Sequence, residues 1–227
     1  MRKTLSVLIL LGLAAIALPM AAAALGLDIE AKAGAGIALG ATDNSSISGS
    51  PRIAAGGGVG LDFYLVNLGP IDLGIAIGGE YSYLTFHSVW SDFPFPGEDQ
   101  TTDAVYNYVN IPIALVCRVP INESIQVVVR AGGLIGYFLD GTADVTFTTL
   151  PTPPRTTLNS DNTIRWEYGL HFTAGADIAL GSGISLAPAI QFDMGLTDTS
   201  VNSAQPTPSK DTFWSLTAIV GIKYKVL

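Results

Sequence analysis

The 227 residues hold 11 Lys and Arg against 19 Asp and Glu, a formal charge of −8, which excludes a basic face for nucleic acid. Mean hydropathy is positive at +0.43, yet past the N-terminal stretch no apolar run approaches the roughly 18 residues of a spanning helix, so a helical membrane protein is excluded too. The single Cys117 permits no intrachain disulfide and no thiolate metal site.

At the N-terminus Arg2 and Lys3 precede an apolar stretch from Leu5 to Leu18, which Pro19-Met20 breaks. Ala21 to Ala24 then offer an A-x-A type cleavage site. This layout predicts a secretory signal peptide over residues 1–24, cut near Ala23 or Ala24. A retained helix from Leu5 to Leu25 is the alternative. No lipobox cysteine sits at the junction. Cleavage leaves residues 25–227 as a single domain with a charge of about −10.

Eight strands follow. The first runs from about Leu27 to Ala41, with Leu27, Ile29, Ala31, Ala33, Ile37 and Leu39 on one face and Asp28, Glu30 and Lys32 on the other. The second, about Ala54 to Val66, sets Val59, Leu61, Phe63 and Leu65 against Asp62. The third, about Ile71 to Phe86, sets Leu73, Ile75, Ile77 and Tyr81 against Asp72 and Glu80. The fourth and fifth run from about Ala104 to Val119 and Ser124 to Asp140. In the fourth, the apolar neighbours Ile111, Ile113, Leu115 and Val119 put Cys117 on the outward face as a small hydrophobe. The sixth, Arg165 to Leu180, alternates throughout: Trp166, Tyr168, Leu170, Phe172 and Ile178 face one way, Glu167, His171, Thr173 and Asp177 the other. The seventh, about Ile184 to Leu196, sets Leu186, Ile190, Phe192 and Met194 against Gln191 and Asp193. The eighth, about Phe213 to Val226, sets Trp214, Leu216, Val220, Ile222 and Tyr224 outward.

Period-two alternation makes a strand with one apolar and one polar face, and these rows meet the roughly 9–11 residues a tilted strand needs to cross a bilayer. Connections after the second, fourth and sixth strands are short, whereas the others are long. Together these features predict an all-β fold: an eight-stranded antiparallel up-and-down transmembrane β-barrel with short periplasmic turns and four longer extracellular loops. Pro112 and Pro188 fall inside strands, where proline costs a ladder bond, so bulges are expected near both, with another at Gly132-Gly133.

The polar faces would converge in the lumen, with Asp62, Asp72, Asp177, Arg118 and Arg130 in the lower half and Glu80, Glu167, His171 and Asp193 in the upper. Eight strands leave an interior just wide enough for side chains to fill. A salt-bridged core is therefore the leading reading; the alternative is a narrow or gated, porin-like, cation-preferring pathway, motivated by the acidic excess and by inward glycines. Asp28 and Glu30 come beside Lys223 and Lys225, where opposite charges would pin the closing seam; alternatively these ends lie in periplasmic water. Aromatic girdles are expected, from Tyr81, Tyr83, Tyr106, Tyr137, Trp166, Tyr168 and Trp214 at the outer end and from Phe63, Tyr64 and Tyr224 at the periplasmic end.

The outer loops, Asp43 to Arg52, His87 to Asp103, Thr142 to Thr163 and Thr197 to Thr212, are polar and proline-marked. They are expected to be mobile and extended. Trp90, Phe93 and Phe95 are candidate contacts for an unidentified extracellular ligand, or pack over the barrel mouth. No catalytic constellation can be assembled, because only His87 and His171 exist and no positioned base and nucleophile share a rim. Gly56-Gly57-Gly58-Val59-Gly60 lacks the Lys-Ser/Thr and helix of a phosphate loop. Neither a cofactor nor a metal is expected, and the chain reads as no enzyme.

The segment Tyr108-Val109-Asn110-Ile111-Pro112-Ile113, followed by Arg130-Ala131-Gly132-Gly133, resembles phrases of the outer membrane protein β-barrel domain family. Over the mature length the architecture resembles small outer-membrane barrels of the OmpA/OmpX and opacity-protein kind. Gly221-Ile222-Lys223-Tyr224-Lys225-Val226-Leu227 is similar to the C-terminal signal read by the barrel-assembly machinery, although it ends in Leu227 rather than an aromatic. The resemblance implies outer-membrane lipid and that machinery as partners, export across the inner membrane, and a role in membrane integrity, adhesion or small-solute passage.

Overall fold

The computed structural model describes residues 26–42, 47–92, 94–158, 165–197 and 211–226. The expected signal segment, Phe93 and parts of the outer loops lie outside the described residues. Ten strands follow in chain order: β1 (Gly26–Thr42), β2 (Ile47–Ser50), β3 (Arg52–Leu68), β4 (Ile71–Trp90), β5 (Gln100–Pro120), β6 (Ile125–Phe147), β7 (Thr156–Leu158), β8 (Trp166–Gly181), β9 (Ile184–Gly195) and β10 (Asp211–Lys225). Eight of them pair antiparallel in the order β1-β3-β4-β5-β6-β8-β9-β10, and β10 returns to β1. The ring closes, so no edge is left in the wall.

Burial follows the period of two. In β8, Trp166, Tyr168, Leu170 and Phe172 are exposed and Glu167, His171 and Thr173 are buried, the reverse of a soluble barrel. Three short turns join strands at one end. Gly69 adopts a positive φ of 71° in the first. In the second, the Asn122 side-chain oxygen accepts from the amides of Ser124 and Ile125, both at 2.9 Å. Gly181, Ser182 and Gly183 all adopt positive φ in the third.

Several expectations are corrected. Neither proline forms a bulge. Opposite Pro112 the β4–β5 ladder lapses over Gly78 and Gly79 and then resumes in register. Beside Pro188 the β8–β9 ladder lapses over Ala176 and Asp177 in the same way. Each proline keeps continuous pairing on its other side, at Leu134 and Val220, because the missing N–H serves only one neighbour. Gly132-Gly133 also stays in register. The register shifts fall instead at Leu65, Leu139 and Leu180, so the even alternation of the sixth predicted strand slips at its last residue.

The outer loops differ most. Beyond the level where Ala54 leaves Leu84 and Trp166 leaves Tyr137, β4, β5 and β6 continue upward. With β2 and β7 they form a five-stranded sheet above the barrel wall. Both ends of His87 to Asp103 and the start of Thr142 to Thr163 are therefore ladder rather than extended loop. Long-range pairing between neighbours sustains these extensions.

Candidate functional site

Even-numbered positions of β3 to β6 and β10's Lys223 send charge inward near the short-turn end. Arg130 grips Asp62 with two prongs, Nε to Oδ1 at 3.0 Å and Nη2 to Oδ2 at 2.7 Å, and also donates to Glu30 Oε2 at 2.7 Å. Lys223 Nζ donates to Asp62 at 3.2 Å and Asp177 at 2.8 Å. Arg118 holds Asp28 at 3.0 Å and Asp72 at 2.8 Å, and its guanidinium lies 3.7 Å from the centre of the Tyr64 ring. The planar fork suits paired carboxylates, which a lysine could not hold bidentately.

The expected seam charges do sit opposite each other, Asp28 by Lys225 and Glu30 by Lys223. Yet Asp28, Glu30 and Lys223 pair across the lumen rather than along the seam, while Lys225 is exposed. Facing backbone positions fix register, but the low-dielectric interior rewards the geometry of the arginine forks more.

A second network occupies the middle of the lumen. Lys32 pairs with Glu80 at 2.6 Å and donates to Gln191 Oε1 at 3.0 Å. Gln191 Nε2 donates to Glu80 at 3.0 Å and to Asp193 at 2.7 Å. His171 Nδ1 lies 2.6 Å from Asp193, and its Nε2 lies 3.0 Å from the Thr173 hydroxyl. Both ring nitrogens therefore have a partner, a carboxylate on one side and a hydroxyl on the other. This acid–histidine–hydroxyl row could polarise a hydroxyl, but His171 and Thr173 are 1% and 2% exposed, so no substrate reaches it. Lys32, Gln191 and Thr173 belong to the network although the sequence reading gave them no site role. Their inward positions were legible, their partners were not.

Of the inward glycines expected to leave a lumen path, Gly34, Gly36, Gly56, Gly58 and Gly74 instead serve close strand approach, since a Cβ on each would collide with a backbone oxygen of a neighbouring strand. Elsewhere a Cβ on Gly221 would stand 2.6 Å from the Glu30 carboxylate, and one on Gly195 would collide with the carboxylate of Glu167. Above the network, Phe86 stacks on Phe213 with centroids 4.1 Å apart, and Tyr106 meets both, at 5.4 and 5.1 Å. Tyr108 and Phe138 extend the group. Tyr106 was expected on the outer girdle, and Phe63 and Tyr64 on the periplasmic one. Tyr106 instead packs against the buried pair Phe86 and Phe213, and Phe63 and Tyr64 are 1% and 2% exposed. Tyr64 shares the inward parity of Asp62 and lies under the Arg118 guanidinium, and Phe63 stands just before the register shift at Leu65. Tyr81, Trp166, Tyr168 and Tyr224 keep their exposed positions. Cys117 follows Leu115, which is largely exposed, on the outward row and is half-buried.

At the outer rim Trp90 ends β4 opposite Gln100, Phe95 is exposed, and Phe93 lies outside the described residues. Glu98 is buried and accepts from the Thr149 amide at 2.8 Å, the Thr149 hydroxyl and the Leu150 amide. These donors hold its carboxyl below the ordinary glutamate range. They tie the β4–β5 tip to the segment after β6. Arg155 forks onto Asp144, Nε to Oδ1 at 2.7 Å, and lowers that carboxyl. His87 is in a strand rather than a loop, 2.8 Å from Asp103.

A family model described as the outer membrane protein β-barrel domain matches residues 22–201. The chain belongs to this family. Outer-membrane lipid is therefore the solvent of its apolar face. No curated protein matches it by sequence. Among solved structures it is similar to OprG of Pseudomonas aeruginosa at 12% identity, covering 89% of this chain and 96% of that one, with a TM-score of 0.47. Neisserial surface protein A gives 8%, 87%, 96% and 0.42. The outer membrane protease OmpT of Escherichia coli gives 11%, 87%, 96% and 0.41. Members of this architecture thus include an enzyme, and similarity at this level carries no argument about activity.

Proposed function

We propose that this outer-membrane barrel is non-enzymatic, a sealed stem that carries a surface-interaction platform outside the cell. The carrying observation is the cross-lumen bracing of Arg130, Arg118 and Lys223, each on two carboxylates. Side chains, rather than a water column, fill the bore. The cavities beside the middle network amount to about 30 and 20 Å³, room for one or two waters each. The platform of β2, β4, β5, β6 and β7, with Phe95 exposed at its tip, supports an extracellular partner as the thing contacted. Residues 1–24 serve as the cleaved export signal, and the final strand is the handle for the barrel-assembly machinery.

Planar-bilayer recording tests the sealed stem: the purified barrel should give no reproducible channels. Steady cation-selective steps would replace this reading with the gated pathway. Phe95→Cys should react with an impermeant maleimide on intact cells, and replacing the 92–98 tip by Gly-Ser should remove partner binding while the heat-modifiable fold persists. N-terminal sequencing of the mature chain should begin at residue 24 or 25.

A further inference from the structure

The lumen does not balance its own charge. Among the described residues, Asp28, Glu30, Asp62, Asp72, Glu80, Glu167, Asp177 and Asp193 face only Lys32, Arg118, Arg130 and Lys223 as fixed cations. Most of these carboxylates are held by an arginine, a lysine or His171. Glu167 is the exception: it is 7% exposed and has no cationic neighbour among the described ion pairs. It lies between the middle network and the aromatic lid, beside a cavity of about 20 Å³ that Asp193, Asn110, Ser82, Ser215 and Tyr108 also line. Tyr108 is 1% exposed, and its buried hydroxyl has no hydrogen-bond partner. A dry barrel with surplus negative charge requires a counter-charge, and this chamber, otherwise walled by Leu84, Leu134 and Phe213, gathers oxygen atoms without supplying one.

We propose that the chamber binds one hard cation through oxygen ligands, with Glu167 as the charged ligand and Asn110, Ser82, Ser215 and Tyr108 as neutral ones. Hard cations such as sodium, potassium, magnesium and calcium take carboxylate, amide and hydroxyl oxygens. The chamber's size admits a single ion. Two glycines keep it open: a Cβ on Gly136 would stand 2.9 Å from the Asn110 oxygen and one on Gly195 would strike Glu167. Asp193 already receives bonds from His171 and Gln191, so it adds field rather than a free ligand. The inference rests on the sealed-stem reading: steady channels would overturn both, whereas silent recordings with no saturable ion response would overturn the site alone.

The test uses the purified full barrel in detergent, stripped with chelator and held at pH 8 in choline chloride of constant ionic strength. Sodium, potassium, magnesium and calcium chlorides are titrated separately while Tm is followed, and bound metal is counted by elemental analysis after gel filtration. One of the four should raise Tm saturably and remain at about one equivalent. Glu167→Gln should lose both responses, with a stripped Tm equal to or above that of the stripped wild type. Tyr108→Phe, which keeps the ring packing, should shift the midpoint severalfold to higher concentration. Equal responses in wild type and Glu167→Gln would mean surface ions only and overturn the proposal. A stripped wild type that gains Tm on acidification and ignores all four salts would assign the missing charge to a proton on Glu167, and overturns it equally.

Discussion

In the periplasmic half of the barrel Arg130, Arg118 and Lys223 each hold two carboxylates, whereas in the outer half Phe86, Tyr106 and Phe213 close the bore with ring centroids 4.1 to 5.4 Å apart. Under the sealed-stem proposal both halves exclude a water column, by different physics. Charges buried from water cost several kcal/mol each and stay only while each has its partner. Rings need no particular partner, only contact, and gain from edge and stacked geometry. The charged half is therefore brittle toward loss of one group, and the aromatic half is tolerant of exchange between rings.

The largest expected effect lies on the brittle side. Arg130→Met should lower the unfolding free energy in urea from lipid vesicles by about 3–5 kcal/mol, because Glu30 and Asp62 lose their guanidinium. An Arg130→Lys variant should recover only part, since a point charge replaces a fork. Phe213→Ala should cost about 3 kcal/mol through the cavity it leaves, while Phe213→Leu should cost clearly less. Combined with Arg130→Met the two losses should add within about 0.5 kcal/mol; a large coupling term would show that the halves are one unit.

Smaller effects sharpen the contrast. Tyr64→Leu should lose about 1–2 kcal/mol of stacking under Arg118, yet Tyr64→Phe should be near neutral, because the hydroxyl makes no bond. The smallest effect is at the rim. Glu98 is held below the ordinary glutamate range by Thr149, so its contribution is complete above the unfolded value and disappears as pH falls through the lower folded one. Protease cleavage of the 91–99 tip on intact cells should then accelerate only on acidification. In Glu98→Gln it should be faster at neutral pH and flat with pH.

The wall of the barrel was largely legible because a bilayer imposes one rule on every outward residue. Alternation in Trp166 to Ala179, and short turns after the second, fourth and sixth strands, are enough to read strand number, direction and face. The inward identity of Asp62, Glu80, Arg118, Arg130, His171 and Asp177 follows from the same parity. Their partners do not, since Arg130 and Glu30 are a hundred positions apart and meet only once the ring closes. The upper sheet escaped notice because the outer parts of β4 and β5 mix polar and apolar residues on each face, and the short apolar row Ala143, Val145 and Phe147 of β6 lies in a segment that reads as loop. Tyr106 was misplaced because an aromatic at the outer end fits a lipid girdle and a lumen lid equally well by composition.

Sequence alone determined the cylinder: strand count, the lipid-facing rows, the polar interior and the place of the turns, all through a period of two that each residue obeys locally. Tertiary structure decided which charges meet, that neighbouring strands close in on the inward glycines, and that five rings gather above the charges. Those outcomes depend on stagger and bulges at Leu65, Leu139 and Leu180, which set the heights of side chains from different strands and leave no periodic trace in the chain.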